Sequence, residues 1–401
     1  MKASQALQNA AYWASLLLVA SVPGLFMPLA DTTLGSANRI LGGCVVLLWV
    51  LSVIARGGIR RLHLVHWLAI TFSTWYTLSV LWSVVPGDTP FPLNVGQGAA
   101  LTVMLWDIYR TRARVDTALQ AFLLGGYLSI ITTAQNFLNG TQARHWEKRF
   151  AGSGFDPNDI ALLLAIGIPM AVYLMTRRGR PVFLQVLNFF YPVATGFVII
   201  LTGSRGALLA AVPAYLFFLA TVLRLGRAWR FAALAVVACA VLGATKLDLG
   251  EPVQRLASVA SSSSDDHLSG RSEIWNAGWA AYGEHPLLGV GGGAFARATK
   301  KTNGQEQELI AHNTYLSVLT ELGPVGFLLF LALLVAVWQS APRQPQILRH
   351  ACLLMLVVWG IGVFALSWEF RSQTWLLFAL VVAAGQAEAQ QGEAVTQGGR
   401  T

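Results

Sequence analysis

About twelve apolar stretches, most of them close to twenty residues long, constrain this chain more than any other feature. A helix needs about 20 apolar residues to cross the hydrocarbon core of a bilayer. Inside that core the backbone must satisfy its own hydrogen bonds, which leaves helices as the natural solution. The stretches lie near 10–30, 37–55, 63–83, 93–108, 115–138, 158–176, 182–202, 205–223, 229–247, 313–338, 347–367 and 372–387, with the one near 93–108 short and glycine-containing. The chain is 55% hydrophobic and only 12% charged, too apolar for a soluble domain of 401 residues to hide. The expected fold is therefore all-α and polytopic, with about twelve transmembrane helices and a small helical cap.

The formal charge of +9 does not point to nucleic acid, because the arginines fall in short clusters between apolar runs. One alternate set of loops holds Arg56, Arg60 and Arg61; Arg110, Arg112 and Arg114; Arg177, Arg178 and Arg180; Arg224, Arg227 and Arg230; and Arg343 with Arg349. Short basic loops face the cytoplasm, which puts both termini inside and the loops near 139–157, 202–205, 248–312 and 367–372 outside. The chain then divides into helices 1 to 9 over 1–247, an outer cap over 248–312, helices 10 to 12 over 313–387, and a polar tail over 388–401 expected to be disordered. The first apolar run is long enough to span and does not read as a cleavable signal. Cys44, Cys239 and Cys352 lie in apolar runs without CxxC spacing, and read as core thiols.

The residues that could carry chemistry crowd the outer loops. His312 stands where the cap enters a membrane helix; an imidazole can take a proton from a hydroxyl near neutral pH, although at such a place it can also simply cap or snorkel. Asn313 and Tyr315 follow it. Arg205, in Thr202-Gly203-Ser204-Arg205-Gly206, would share a water layer with free helix N–H groups, an arrangement suited to a phosphate or to a headgroup anchor. Arg271 and Glu273 open a short helix whose Ile274, Trp275, Trp279 and Tyr282 fall on one face, as in a helix resting at the membrane interface. Arg149 is a second possible phosphate contact, and Asp156 and Asp159 either cap a helix or bind a cation, with capping the commoner role. Gly289-Val290-Gly291-Gly292-Gly293 is not a nucleotide loop: it follows a helix and His285-Pro286, and lacks a P-loop lysine and serine. Such a turn lets the backbone approach a ligand or a neighbouring helix. Glu321 is an intramembrane acid read as a structural partner, the Gly323-Pro324 that follows should kink its helix, and Glu369 and Arg371 flank the last outer turn.

Taken in order, Arg149-x2-Gly152 with Asp156-Pro157-Asn158, Gly203-Ser204-Arg205-Gly206, Arg271-x3-Trp275, His285-Pro286-x2-Gly289-x-Gly291 and His312-Asn313-x2-Leu316-x4-Glu321-x-Gly323 resemble the bacterial O-antigen ligase and polymerase superfamily. The motifs cover roughly residues 145–330, and hydropathy alone covers the rest. The resemblance implies a glycosyltransferase of the bacterial inner membrane, acting on the periplasmic side. Its donor would be an undecaprenyl-diphosphate-linked glycan and its acceptor a sugar hydroxyl of lipid A core oligosaccharide. His312 would be the base, and Arg205 and Arg271, with Arg149, would neutralise the departing diphosphate. Asn313, Tyr315, Glu273, Gly289 and Gly291 would line the substrate site. No metal, nucleotide or other cofactor is expected, because a diphosphate already leaves well. One base and no evident outer nucleophile suggest a single inverting displacement.

Within the superfamily the ligase is favoured by the compact outer segment ending in His312-Asn313, over a polymerase or a protein O-oligosaccharyltransferase. A twelve-span transporter of lipid-linked glycans would show repeat symmetry and polar residues at the midplane, and no repeat is evident. A non-catalytic scaffold would tolerate loss of His312 with an effect on stability alone.

Overall fold

The computed structural model contains helices and no strands among the residues it describes, which are 2–24, 37–85, 91–143, 148–152, 154–244, 250–261, 269–303 and 310–398. In chain order the helices are α1 (Lys2–Gly24), α2 (Ala37–Arg56), α3 (Leu64–Leu78, extended by a 3-10 turn at Ser79–Trp82), α4 (Phe91–Ile108), α5 (Arg112–Leu138), α6 (Pro157–Met175), α7 (Val182–Thr202) and α8 (Arg205–Arg224). They continue as α9 (Arg227–Ala244), α10 (Gly250–Ser261), α11 (Ser269–Glu284), α12 (Phe295–Asn303), α13 (Thr314–Gln339), α14 (Gln346–Gly362) and α15 (Ser372–Gly398).

A helix occurs at every one of the expected apolar runs. Among the described residues, 7 helical stretches are long and apolar enough to cross a membrane: Asn38–Arg56, Leu64–Trp82, Arg112–Leu138, Pro157–Met175, Val182–Thr202, Arg205–Arg224 and Thr314–Gln339. Gln346–Gly362 and Ser372–Ala387 are apolar but shorter. The span expected over 347–367 ends at Gly362, because the chain turns there to enter the segment leading to Ser372. Residues 25–30 and 245–247, the far ends of two expected spans, lie outside the described residues. The tail expected to be disordered is helical through Gly398, in keeping with its alanines, glutamines and glutamates, which favour helix.

The chain forms two compact units. The first comprises Met1–Ala55, Arg112–Ser261 and Arg343–Gly362, and α6 is its centre, packed by α5, α7, α8 and α14. Every residue from Ile160 to Leu174 is buried, as an apolar helix without a polar face requires. The helix starts cleanly because the Asp156 carboxylate accepts the Asn158 N–H at 2.8 Å and Pro157 occupies the first helical position. Asp156 therefore takes the capping role. Glycines set the close approaches around this centre: Gly125 of α5 meets the backbone carbonyl of Ala20 on α1 without room for a Cβ.

The second unit comprises Arg56–Thr111, Ser262–Pro342 and Val363–Thr401. In it α3 packs on α4 and α13, α4 on α15, and the short α11 on α12 and α13. The segment expected to form a single cap is thus shared, with α10 in the first unit and α11 and α12 in the second.

Replacing Gly125 with alanine places a methyl group against the Ala20 carbonyl. Overpacking of this kind costs about 1–3 kcal/mol. A thermal melt of the purified protein in detergent should show Gly125→Ala clearly less stable than wild type, whereas Gly43→Ala, with open space around its Cβ position, should melt like wild type.

Candidate functional site

The second unit is held together by a break in α13. Gly323 leaves the helical region with φ 65 and ψ −173, and Pro324 follows with no N–H to give. Several carbonyls of the preceding turn consequently lose their helical donors, and a buried carbonyl needs a replacement. The glycine-rich turn supplies two: Val290 N–H donates to Thr320 O at 2.9 Å and Gly291 N–H to Glu321 O at 2.8 Å. Trp75 Nε1–H donates to Leu322 O at 3.2 Å. The approach is so close that a Cβ on Gly289, whose φ is +71, would fall 2.5 Å from the Glu321 carbonyl carbon. A Cβ on Gly291, at φ +100, would fall 2.5 Å from Ser83 Cβ. In this structure both glycines serve the approach to a neighbouring helix.

The Glu321 side chain completes the joint. It is 4% exposed and accepts three hydrogen bonds. Tyr76 Oη–H and Gly293 N–H donate to Oε2 at 3.0 and 2.9 Å, and Phe295 N–H donates to Oε1 at 3.2 Å. The last of these caps the start of α12, where a carboxylate is favoured.

His312 stands at the other end of the same helical segment. It is the one non-glycine with positive φ among the described residues, at φ 46. A left-handed residue with a side chain costs roughly 1–2 kcal/mol, and histidine is among the few types enriched there. The neighbours fix it in place. Asn313 caps α13, its Oδ1 accepting from Tyr315 N–H and Leu316 N–H at 3.0 and 3.1 Å. Trp275 of α11 donates its indole N–H to Ala311 O at 3.0 Å. Arg271 lies one turn before Trp275, on the same face of α11. Glu273 is exposed.

The turn before α15 is stitched to the start of α13. Thr314 N–H donates to Val363 O at 2.9 Å, and its hydroxyl donates to Leu366 O and accepts from Trp368 N–H. Ser317 Oγ–H donates to Glu369 Oε1 at 2.7 Å. Glu369 is 1% exposed, and its Oε2 has no hydrogen-bond partner among the described residues. Burial pushes this carboxyl well above the usual carboxylate range, while the Ser317 hydroxyl draws it back down. Tyr315 is half-buried, with its ring 4.6 Å from that of Phe364.

The aromatic stripe expected on α11 is not a single surface. Ile274 is buried with Phe295, Ala311 and Leu316, with Trp275 packed against them, whereas Trp279 is 54% exposed. The small residues Ala277, Gly278 and Ala281 decide which face packs, since a Cβ on Gly278 would lie 2.9 Å from the Phe295 ring.

Arg149 and Arg205 belong to the first unit. Arg149 is buried; its Nε–H donates to Thr202 O at 2.6 Å and Nη2 to Asn158 Oδ1 at 2.7 Å, so it ties the end of α7 to the start of α6. Arg205 is the first residue of α8, after the left-handed cap Gly203 and the N-cap Ser204. The stem of Arg255, on α10, packs against Gly203, where a Cβ would be 3.2 Å from Arg255 Cδ. Three guanidinium groups thus gather at the α7–α8 turn, and the third was missed in the sequence because α10 shows no motif.

A helical chain with these apolar spans is a multi-pass membrane protein. A family model described as O-antigen ligase matches residues 190–331, so this stretch of the chain is similar to that family. The matched stretch includes Arg205, Arg271, Glu273, Gly289, Gly291, His312, Asn313 and Tyr315, and leaves out Arg149. A comparison with curated proteins finds no match.

Glu321→Gln turns one acceptor into a donor facing backbone and tyrosine donors. Each buried hydrogen bond so lost costs about 1–3 kcal/mol, and the variant should melt lower than wild type. Gly289→Ala should fare at least as badly, because it adds left-handed strain to the contact with Glu321. An unchanged melting midpoint in both would refute the joint.

Proposed function

We propose that the chain is an O-antigen ligase of the bacterial inner membrane, moving a glycan from undecaprenyl diphosphate to a sugar hydroxyl of lipid A core on the periplasmic side. His312 carries the reading: it lies within the family match and its backbone is held in a strained conformation between a capped helix and the Trp275 contact. Strain of this kind collects at functional sites.

The imidazole takes the proton of the acceptor hydroxyl. That oxygen bonds to the anomeric carbon as the carbon–oxygen bond to the diphosphate breaks, and undecaprenyl diphosphate leaves with the electron pair. Arg205 and Arg271 stabilise the charge on the leaving group, with Arg149 as a further cation. Asn313 and Tyr315 shape the acceptor side, and Glu273, Gly289 and Gly291 belong to the substrate region through the positions they set. Attack by the acceptor itself inverts the anomeric centre. The family match also covers polymerases, for which the acceptor is a second lipid-linked glycan.

His312→Asn is the informative variant, because asparagine tolerates the left-handed backbone but is no base. Purified wild type should transfer glycan from the lipid-linked donor to lipid A core in the presence of EDTA and without nucleotide. The variant should lose about 10²–10⁴-fold in rate, the usual contribution of a general base, while still binding donor. Full activity in the variant would assign His312 a structural role, and lengthening of the donor instead of transfer to lipid A core would make the protein a polymerase.

A further inference from the structure

Away from the residues discussed so far, the ends of α3 and α4 hold two buried donors with no acceptor among the described residues. His63 N–H donates to His66 Nδ1 at 3.0 Å, so the neutral His66 ring carries its proton on Nε2. His66 is 0% exposed, and Nε2 has no hydrogen-bond partner among the described residues. The Trp106 ring lies 4.2 Å from it, 1% exposed, and its Nε1–H, which can only donate, is also without an acceptor among the described residues. A native structure rarely leaves one such group unmet, and here two stand in ring contact.

The surroundings supply more donors and positive charge. The Arg60 guanidinium lies 4.0 Å over the Trp106 ring. Arg56 and Arg110 each approach Asp107 to 2.6 Å and Arg60 approaches it to 3.5 Å. Three guanidiniums and one carboxylate give these four groups a net charge of +2. The arginine side chains keep 13%, 15% and 31% exposure for Arg56, Arg60 and Arg110, so the rim of the cluster is reachable from outside. A ligand here must accept hydrogen bonds and carry negative charge, which excludes a cation. A phosphate group does both, with geometry suited to guanidinium. The adjoining surface of α3 is apolar and outward-facing, with Leu64 67% and Trp67 57% exposed, as expected where acyl chains meet headgroups.

We propose that His66, Trp106 and Arg60, backed by Arg56 and Arg110, form a binding site for the phosphate of an anionic phospholipid headgroup. Arg60 covers the Trp106 ring, and its movement onto the phosphate admits an oxygen to the two orphan donors. The loops involved are those the charge pattern assigns to the cytoplasmic side, where anionic lipids attract basic residues. The site is independent of the transferase reading and stands or falls separately.

The test uses the full chain purified in maltoside detergent, with thermal midpoints followed as short-chain phosphatidylglycerol, short-chain phosphatidylcholine or inorganic phosphate is added. Wild type, Trp106→Phe and Arg60→Gln are compared. Phosphatidylglycerol should raise the wild-type midpoint and phosphatidylcholine should do so far less. Trp106→Phe should start from a higher midpoint without lipid, having lost an unmet donor, yet need about tenfold more phosphatidylglycerol for the same shift. Arg60→Gln should also need more. A response to inorganic phosphate equal to that of phosphatidylglycerol would keep the phosphate chemistry and overturn the lipid as its source. No wild-type response to either, equal responses in wild type and both variants, or a lower lipid-free midpoint for Trp106→Phe would overturn the proposal.

Discussion

The second unit depends on carbonyl groups that α13 cannot satisfy by itself. A proline after a left-handed glycine opens the helix at Gly323, and the exposed backbone acceptors must find donors away from water. The glycine-rich turn provides them through Val290 and Gly291, and Trp75 provides another. Glu321 then gathers the Gly293 N–H of that turn and the Phe295 N–H at the start of α12 onto one carboxylate. Each partner is useful only because the others hold it: without glycines the turn could not come near, and without the break there would be no acceptors to come to.

Fixing the break also fixes what precedes it. The helical segment from Thr314 to Leu322 is anchored at its far end by the glycine turn and at its near end by the Asn313 cap and the Thr314 and Ser317 hydroxyls. His312 therefore projects from a segment held at both ends, which is what a side chain needs if it is to meet a substrate hydroxyl in one orientation. Its left-handed backbone is tolerable because the surrounding hydrogen bonds repay the local cost.

Much of this was legible in the sequence, for reasons of scale. Apolar runs of membrane length leave the backbone little choice but helix, so a helix occurs at every expected run. Local signals also held: Asp156-Pro157 starts a helix, and Gly323-Pro324 breaks one. For the glycine-rich turn, the choice between ligand and helix needed coordinates, since Gly291 and the Glu321 carbonyl are brought together only by the fold. Tyr76 and Glu321 are 245 residues apart, and no spacing rule reaches that far. The stripe on α11 misled because helical periodicity finds a face without saying which face packs, and there the small residues decide. Alanine and glutamine in the tail carried more helix preference than its polarity suggested.

The family match and the compact units do not share boundaries. Residues 190–331 begin inside α7 and end inside α13, crossing from the first unit to the second near Ser261. Within the match, α7 and α8 pack on α6, and α8 on α14, both of which lie outside it; α13 packs on α3, which also lies outside. What is inherited as a recognisable stretch is thus not what folds as a body. The matched helices bury their apolar faces on partners the match does not include: α6 and α14 in the first unit, α3 in the second.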